Sequence, residues 1–469
     1  MTANRNPDDT IVAISTPIGE GGIGIVRLSG KLALAIINKI FESKNERPPF
    51  NFKTYTIRYG HIIKNSVNAN KPLVIDEVIV SVMKAPKSYT REDVVEINCH
   101  GGIVPLRKIF DLVIEMGARP AEPGEFTKRA FLNGRIDLAR AEAVLDVIRS
   151  KTDAALEVAM NQLNGRLSEC VCNLQNDLLD IYSHIEASLD FPDEELQTSK
   201  TQELIKKSEG VALAIDELIK KSDKGIVLRD GIAAVICGSP NVGKSSLLNA
   251  LLRIDRAIVT PIPGTTRDTI EEIANIKGIP LKLVDTAGIM DSQDLVEREG
   301  INRSRRHIRS SDLVLFVLDA SRPLTREDEM IARELKDKKV IIIINKIDQA
   351  KKMSMVPLSE FASGNKVVEV SALAGTNLNL LEDAIADVVW RGGVAHTDEL
   401  LVSNARPKNL LKASLAALSF AIDGLREHKA IELVALDFRE AIDALSRISG
   451  AKISSDVLDV IFNEFCIGK

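Results

Sequence analysis

The chain has 469 residues, 45% of them hydrophobic, and a formal net charge of −5. That length predicts two to four domains, each able to bury its own core, and the acidic balance excludes a wholly basic nucleic-acid binder while leaving local basic patches open. Cys99, Cys170, Cys172, Cys237 and Cys466 form no C-x-x-C pair or zinc-spaced cluster, the opening MTANRNPDDT has no apolar signal region, and no apolar run reaches the roughly 18 residues of a membrane span, so free thiols, a cytoplasmic location and no membrane contact are expected.

Residues 1–133 mix short strand-like runs with turns. TIVAIST (10–16) reads as a strand, and the glycine-rich GEGGIGIVRLSG (19–30) follows it. A helix is predicted near 31–42, strands at VIDEVIVSVM (74–83) and DVVEINCH (93–100), and a helix at VPLRKIFDLVIEMG (104–117) that stops at a glycine. The pattern is α+β. Its glycines, and the HGG at 100–102, read as turns on composition alone.

Residues 134–229 change character. Leu156, Met160, Leu163, Leu167, Val171, Leu174, Leu178, Ile181, Ile185 and Leu189 recur at three- and four-residue steps, which predicts one face of one long helix. Pro192 in LDFPDEE breaks it, and a further helix near 200–222 leads into KGIVLRDG. Over 230–390, apolar runs at AAVIC (233–237), LKLVD (281–285), LVLFVLD (313–319), VIIIIN (340–345) and VVEV (367–370) alternate with helical segments. A largely parallel sheet covered on both faces is predicted. Residues 391–469 return to helical periodicity and end in FCIGK. Helical blocks on either side of an α/β block predict an α/β domain inserted into a discontinuous helical bundle.

Chemistry concentrates in the α/β block. Between AAVIC and LLNALL, the run Gly238-x-x-x-x-Gly243-Lys244-Ser245 fits the phosphate-loop pattern in full. Its glycines allow successive N–H groups to converge on phosphate oxygens, Lys244 can reach the β- and γ-phosphates, and the Ser245 hydroxyl can ligate Mg²⁺. In GTTRD (264–268), Thr266 can complete the Mg²⁺ shell. In DTAG (285–288), Asp285 can hold the metal through water and the Gly288 N–H can meet the γ-phosphate. In NKID (345–348), Asp348 can accept two hydrogen bonds from guanine that adenine cannot offer, and SAL (371–373) can direct an N–H at the guanine carbonyl. Each motif is weak alone. Their order, on strand ends, points to guanine nucleotide. After DTAG, where many such sites carry a water-positioning glutamine, stands Ile289, which cannot orient water. Glu297 is the candidate in its place, with a solvent-facing acid as the alternative. The basic run NRSRRHIR (302–309) reads as a solvated helix face, with a contact to tRNA or a partner as the alternative.

With these residues in place the chain resembles the MnmE (TrmE) family of tRNA-modification GTPases, among the TrmE-Era-EngA-like GTPases. The resemblance spans essentially the whole length. It rests on DTIVAISTPIGEGGIGIVRLSG, PGEFTKRAFLNGRIDLARAEAV (123–144), LDFPDEE (189–195), the order of the GTPase motifs and the terminal FCIGK. Glu20 departs locally from a position where some relatives carry a basic residue. The resemblance implies a potassium-activated GTPase. Asn241, Thr260, Ile262 and Thr265 match K⁺-binding positions, Ser245 and Thr266 hold Mg²⁺, and Glu297 matches a water-orienting acid. The nucleotide is expected to contact Asn241, Val242, Gly243, Lys244, Ser245 and Ser246. The switch loop of Thr260, Pro261, Ile262, Pro263, Gly264, Thr265 and Thr266 is expected there too, as are Asp285, Thr286, Ala287 and Gly288, then Asn345, Lys346, Ile347 and Asp348, and Ser371, Ala372 and Leu373.

The same resemblance implies that 1–133 is a folate-binding and dimerisation domain. Arg27, Glu96, Arg135 and the terminal Lys469 match positions for a 5-formyl- or methylene-tetrahydrofolate. Cys466 matches a terminal cysteine needed for modification, the alternative being a small buried residue. The implied assembly is a homodimer that joins an FAD-carrying MnmG-type partner in a heterotetramer. Together they place an aminomethyl or carboxymethylaminomethyl group on carbon 5 of the wobble uridine of certain tRNAs. The rival expectation is an Era- or EngA-like ribosome-assembly switch without modification chemistry.

Overall fold

The structure, a computed structural model, describes residues 9–43, 48, 50–65, 71–190, 198–254, 272–284, 307–390 and 402–469. Two compact units divide the chain: residues 1–145 with 449–469, and residues 146–448. This division assigns the terminal segment to the first unit, whereas the sequence groups it with the second helical part.

In the first unit the elements run β1 (Ile11–Ile14), β2 (Gly21–Ser29), α1 (Ala33–Ile40), β3 (Phe41–Glu42), β4 (Thr56–Lys64), β5 (Leu73–Met83), β6 (Val94–Gly101), α2 (Ile103–Glu115), β7 (Arg119–Pro120) and α3 (Glu125–Leu132). They build a seven-stranded sheet in the order β3-β4-β5-β6-β2-β1-β7, antiparallel except where β1 meets β7. The glycine-rich stretch is strand rather than turn from Gly21 onward, because Val26 and Leu28 alternate into the core while Arg27 points the other way and pairs in register with Glu96 on β6. Strand β4 was not legible as a strand: its alternation puts Ile57 and Tyr59 on an exposed face, 70% and 57% accessible, and Gly60 interrupts the apolar run. Helices α1 and α2 bury Ile36, Ile37, Ile109 and Val113 against Val26, Val80 and Ile97.

Helix α4 (Leu138–Arg149) is followed by α5 (Asp153–Leu163) and α6 (Arg166–Asp190). The single long helix expected from Leu156 to Leu189 is therefore two. Gly165 takes a left-handed φ of 93°, which ends α5, and Thr152 caps its start by accepting from the Ala155 N–H. The break rotates the faces. Leu167, Val171, Leu174, Leu178, Ile181 and Ile185 are buried as expected, but in α5 it is Ala155, Val158 and Ala159 that face inward while Leu156 and Met160 are exposed. Pro192 lies outside the described residues. Helix α7 (Thr198–Asp230) runs past the expected end at 222 straight to the sheet.

The α/β part follows as β8 (Ile232–Cys237), α8 (Lys244–Ile254), β9 (Glu272–Ile276), β10 (Ile279–Val284), β11 (Leu313–Asp319), α9 (Arg326–Glu334), β12 (Val340–Asn345), α10 (Ser359–Ser363), β13 (Lys366–Glu369) and α11 (Leu378–Trp390). Its sheet order is β13-β12-β11-β8-β10-β9, parallel except at β9. Every residue of β11 and β12 is buried, as a continuous apolar strand covered on both faces requires. One face packs on α8 and α11, through Leu247, Leu251, Leu381 and Ile385, and the other on α9 through Ala332. Helices α12 (Ala405–Arg426), α13 (Ile431–Ser449) and α14 (Ser455–Asn463) complete the chain. Helix α12 packs along α7, so segments on either side of the α/β insertion form one bundle. In the first unit, Leu458, Phe462 and Phe465 bury against Leu138, Ala141 and Leu145. Among the described residues no helix is long and apolar enough to cross a membrane.

Candidate nucleotide and cofactor sites

The phosphate loop leaves β8 and enters α8 at Lys244. Gly243 has φ of 98°, and a Cβ there would lie 2.3 Å from Nδ2 of Asn345, so both conformation and space demand glycine. Lys244 Nζ donates to the carbonyls of Gly238 and Ser239 at 3.1 and 3.0 Å. Ser245 and Ser246 stand in the first turn of α8, both exposed, where the helix directs its free N–H groups.

Asn345, at the end of β12, is 2% exposed. Its Nδ2 donates to the Val242 carbonyl at 2.9 Å and its Oδ1 accepts from the Ala372 N–H at 3.0 Å. One carboxamide thus joins the phosphate loop to the SAL segment. Asp348 is exposed, and its Oδ1 accepts from the Ser371 hydroxyl at 2.6 Å, which orients the carboxylate beside Ala372 and Leu373. Lys346 has φ of 65° and donates to the Asn241 carbonyl at 2.6 Å and to Asp319 at 2.7 Å. Burial acts to raise the Asp319 pKa, but hydrogen bonds from Lys346 and Ser321 outweigh it and hold the carboxyl below its usual range. Val242 and Ile347 serve as packing within these loops, at buried and half-buried positions respectively.

Beside these loops an open groove of about 410 Å³ is lined by Ser246, Asn249 and Arg253 of α8 and by Ala372, Leu373 and Gly375. Asn249 and Arg253 follow Ser246 at helical spacing on one face of α8, a signal present in the sequence but not used. Asp319 and the bridging role of Asn345 had no signal, since both depend on strand ends meeting. Thr260, Pro261, Ile262, Pro263, Gly264, Thr265, Thr266, Asp285, Thr286, Ala287, Gly288, Ile289 and Glu297 lie outside the described residues. So does most of NRSRRHIR.

A second cluster forms in the first unit. Arg27 binds Glu96 Oε1 through Nε at 2.8 Å and Nη2 at 2.7 Å, and its Nη1 donates to the Gly468 carbonyl at 3.0 Å. The last residues are held by backbone pairing: Ile467 bridges Pro123, and the Phe126 N–H donates to the Lys469 carbonyl at 3.2 Å. Burial first, and the Arg27 charge second, push the Lys469 ammonium below its usual pKa, while Cys466 and Glu96 oppose the shift. Arg135 lies over the Tyr89 ring, 4.7 Å from its centroid, and Arg27 over the Phe126 ring at 5.8 Å. Burial raises the Tyr89 pKa; its bond to Thr127 and the charges of Arg135 and Arg27 work against the rise. The structure therefore brings Arg27, Glu96 and Lys469 together, with Arg135 joined to them through Tyr89. Cys466 is exposed, against the buried alternative. Tyr89 and Phe126 went unread in the sequence, where each has the pattern of an ordinary core aromatic.

Comparison with known proteins places the chain in a family. Residues 138–466 match the family model described as MnmE helical domain, and residues 10–135 match that of the GTP-binding protein TrmE N-terminus. The tRNA modification GTPase MnmE of Alkaliphilus oremlandii is 47% identical over 462 residues, covering 98% of this chain and 99% of that protein. The protein of the same description from Bacillus subtilis is 45% identical, covering 98% and 100%. Among solved structures, a single-residue variant of Aquifex aeolicus Era bound to GDP.AlF4- is 27% identical, covering 40% of this chain and 66% of that one, with a TM-score of 0.27.

Proposed function

This chain belongs to the tRNA modification GTPase MnmE family and is a GTP hydrolase, and from that premise we propose that it works in tRNA wobble-uridine modification as a homodimer. With an FAD-dependent MnmG-type partner it would install the aminomethyl or carboxymethylaminomethyl group on carbon 5, in the cytoplasm, from a tetrahydrofolate one-carbon donor. The observation that carries the modification reading over a ribosome-assembly switch is the Arg27–Glu96–Lys469 cluster. Its Arg27 reaches the Gly468 carbonyl, 441 positions away, and the cluster serves no evident need of a GTPase.

The residues suit the groups proposed for them. Glu96 offers a carboxylate to a pterin's ring N–H and amine, Arg27 and Arg135 meet anionic parts of the cofactor, and the half-buried Lys469 adds a cation. When bound, the folate derivative supplies the one-carbon unit; Arg27, Glu96, Arg135 and Lys469 bind and orient it, with Cys466 beside them. In the nucleotide site Lys244 and the phosphate-loop N–H groups bind phosphate, Asp348 selects guanine, and Glu297 orients the attacking water. Ser245 and Thr266 are the residues that would hold Mg²⁺, and Asn241, Thr260, Ile262 and Thr265 those that would hold K⁺; bound there, the ions would supply positive charge against the phosphates. The exposed Tyr59 and Ile79, directly paired across β4 and β5, support self-association through the 1–133 domain.

Mass spectrometry of tRNA nucleosides tests the whole reading. Cells lacking the gene should lose the modified wobble uridine and regain it on complementation. An unchanged uridine pattern, with altered ribosome profiles instead, would favour the assembly switch.

A further inference from the structure

Ser239, the second residue of the phosphate loop, is 2% exposed, and its side chain is turned away from the phosphate side toward the β11–α9 connection. Its hydroxyl donates to Asp328 Oδ1 at 2.7 Å and accepts from Arg322 Nη2. Its backbone carbonyl accepts from Lys244 Nζ at 3.0 Å. Asp328 is also 2% exposed and is fixed from the other side: its Oδ2 accepts from the N–H and hydroxyl of Thr325 at 2.9 and 2.8 Å, closing the capping box that starts α9. Arg322 Nη2 lies 3.6 Å from Asp328 Oδ2. The phosphate loop is therefore gripped at Ser239 through Asp328 and Arg322, at the Asn241 carbonyl through Lys346, which Asp319 holds, and at the Val242 carbonyl through Asn345.

We infer that Ser239 is a positioning residue for the nucleotide's phosphates, and that the β11–α9 connection, through Asp328 and Arg322, is a clasp that presets the phosphate loop and Lys244. The physical case is preorganisation. A glycine-rich loop has many conformers, and its N–H groups stabilise phosphate best when their directions are fixed before binding. A buried hydroxyl held between a carboxylate and a guanidinium has one geometry. Its own carbonyl orients the lysine. The carboxylate cannot relax toward water, because it is buried and already spent on the α9 cap. Loosening the clasp acts on how tightly the phosphates are held, while the groups proposed for the chemical step stay in place.

Stopped-flow dissociation of a fluorescent GDP, with steady-state GTPase kinetics in KCl on the full chain, tests this. Ser239→Ala should speed GDP dissociation about tenfold or more, the scale of one buried charge-assisted hydrogen bond, and raise KM for GTP by a similar factor while kcat changes less than about threefold. Arg322→Ala, at a 30% exposed side chain, should act in the same direction, and the double variant should be little worse than Ser239→Ala alone. If Ser239→Ala fails to fold, Arg322→Ala alone carries the test. Unchanged dissociation and KM in the folded variants, a loss confined to kcat, or full additivity of the two substitutions would overturn the clasp.

Discussion

Asn345 and Val242 are joined by a buried hydrogen bond of 2.9 Å, carboxamide to backbone carbonyl. The loop proposed to read the base and the loop proposed to hold the phosphates therefore share one side chain, whose other end orders the Ala372 N–H. Asn345→Ala leaves a donor and an acceptor unpaired in the interior, at a cost of about 1–3 kcal/mol. Nucleotide affinity should fall about tenfold or more for GDP and GTP alike. Asn345→Asp should not rescue it, because a second acceptor would face the Val242 carbonyl. Fluorescent-nucleotide titration checks this, and unaltered affinity would speak against the bridge.

Asn241 holds a left-handed φ of 62°, a conformation that asparagine tolerates and alanine resists. A backbone-neutral test of its proposed potassium role is therefore Asn241→Gly, which accepts the φ and lacks the carboxamide. GTPase activity of the parent should be much higher in KCl than in NaCl. The glycine variant should show little difference between the salts while still binding GDP, since Lys346 grips the carbonyl of residue 241 and not its side chain. A retained KCl preference would remove Asn241 from the potassium site.

Glu96 is 2.7 Å from Arg27 and its negative charge raises the Lys469 pKa that burial and Arg27 depress. Glu96→Gln keeps the shape and removes the charge. Calorimetry with 5-formyl-tetrahydrofolate should show affinity reduced by about tenfold or more, while GTP hydrolysis, housed in the other unit, is unaltered. The pH profile carries a second sign. Losing Glu96 lowers the Lys469 pKa further, so binding that uses the ammonium should fade at a lower pH in the variant than in the parent. Identical alkaline limbs would separate Lys469 from the folate.

What could be read in the sequence followed its periodicities. The unbroken apolar runs of β11 and β12 announced a doubly covered parallel sheet, and Gly238 to Ser245 announced the phosphate loop. Strand β4 escaped because Ile57 and Tyr59 are apolar on its exposed face, so alternation did not mark a core side. The α5–α6 break escaped because leucine spacing continues across Gly165, and one left-handed residue rotates the face without interrupting the pattern. The sites divide in the same way. Motif residues were legible because their spacing is local. Asn345 to Val242, Ser239 to Asp328 and Arg135 on Tyr89 depend on where strand ends and loops meet, which no local window encodes.

Glu125 binds Arg119 at 2.6 and 2.9 Å and Arg129 at 3.0 Å, and Asp9 binds the same two guanidiniums at 2.7 and 2.6 Å. This network ties the start of β1 to β7 and α3. Burial acts to raise both carboxyl pKa values, but the arginines outweigh it and both lie below their ordinary range. A carboxyl depressed on folding adds stability that is fully present above its unfolded value, near pH 4, and is lost as pH falls through the folded value. The first unit should therefore lose stability steeply below about pH 4. Glu125→Gln should cost about 2 kcal/mol at neutral pH, since two arginines lose a shared anion in a partly buried site. It should also flatten the acid limb, because one of the linked carboxyls is gone. Circular dichroism melts of parent and variant between about pH 3 and 7 separate the two effects. A variant destabilised equally at every pH would mean that Glu125 acts through packing and not through its charge.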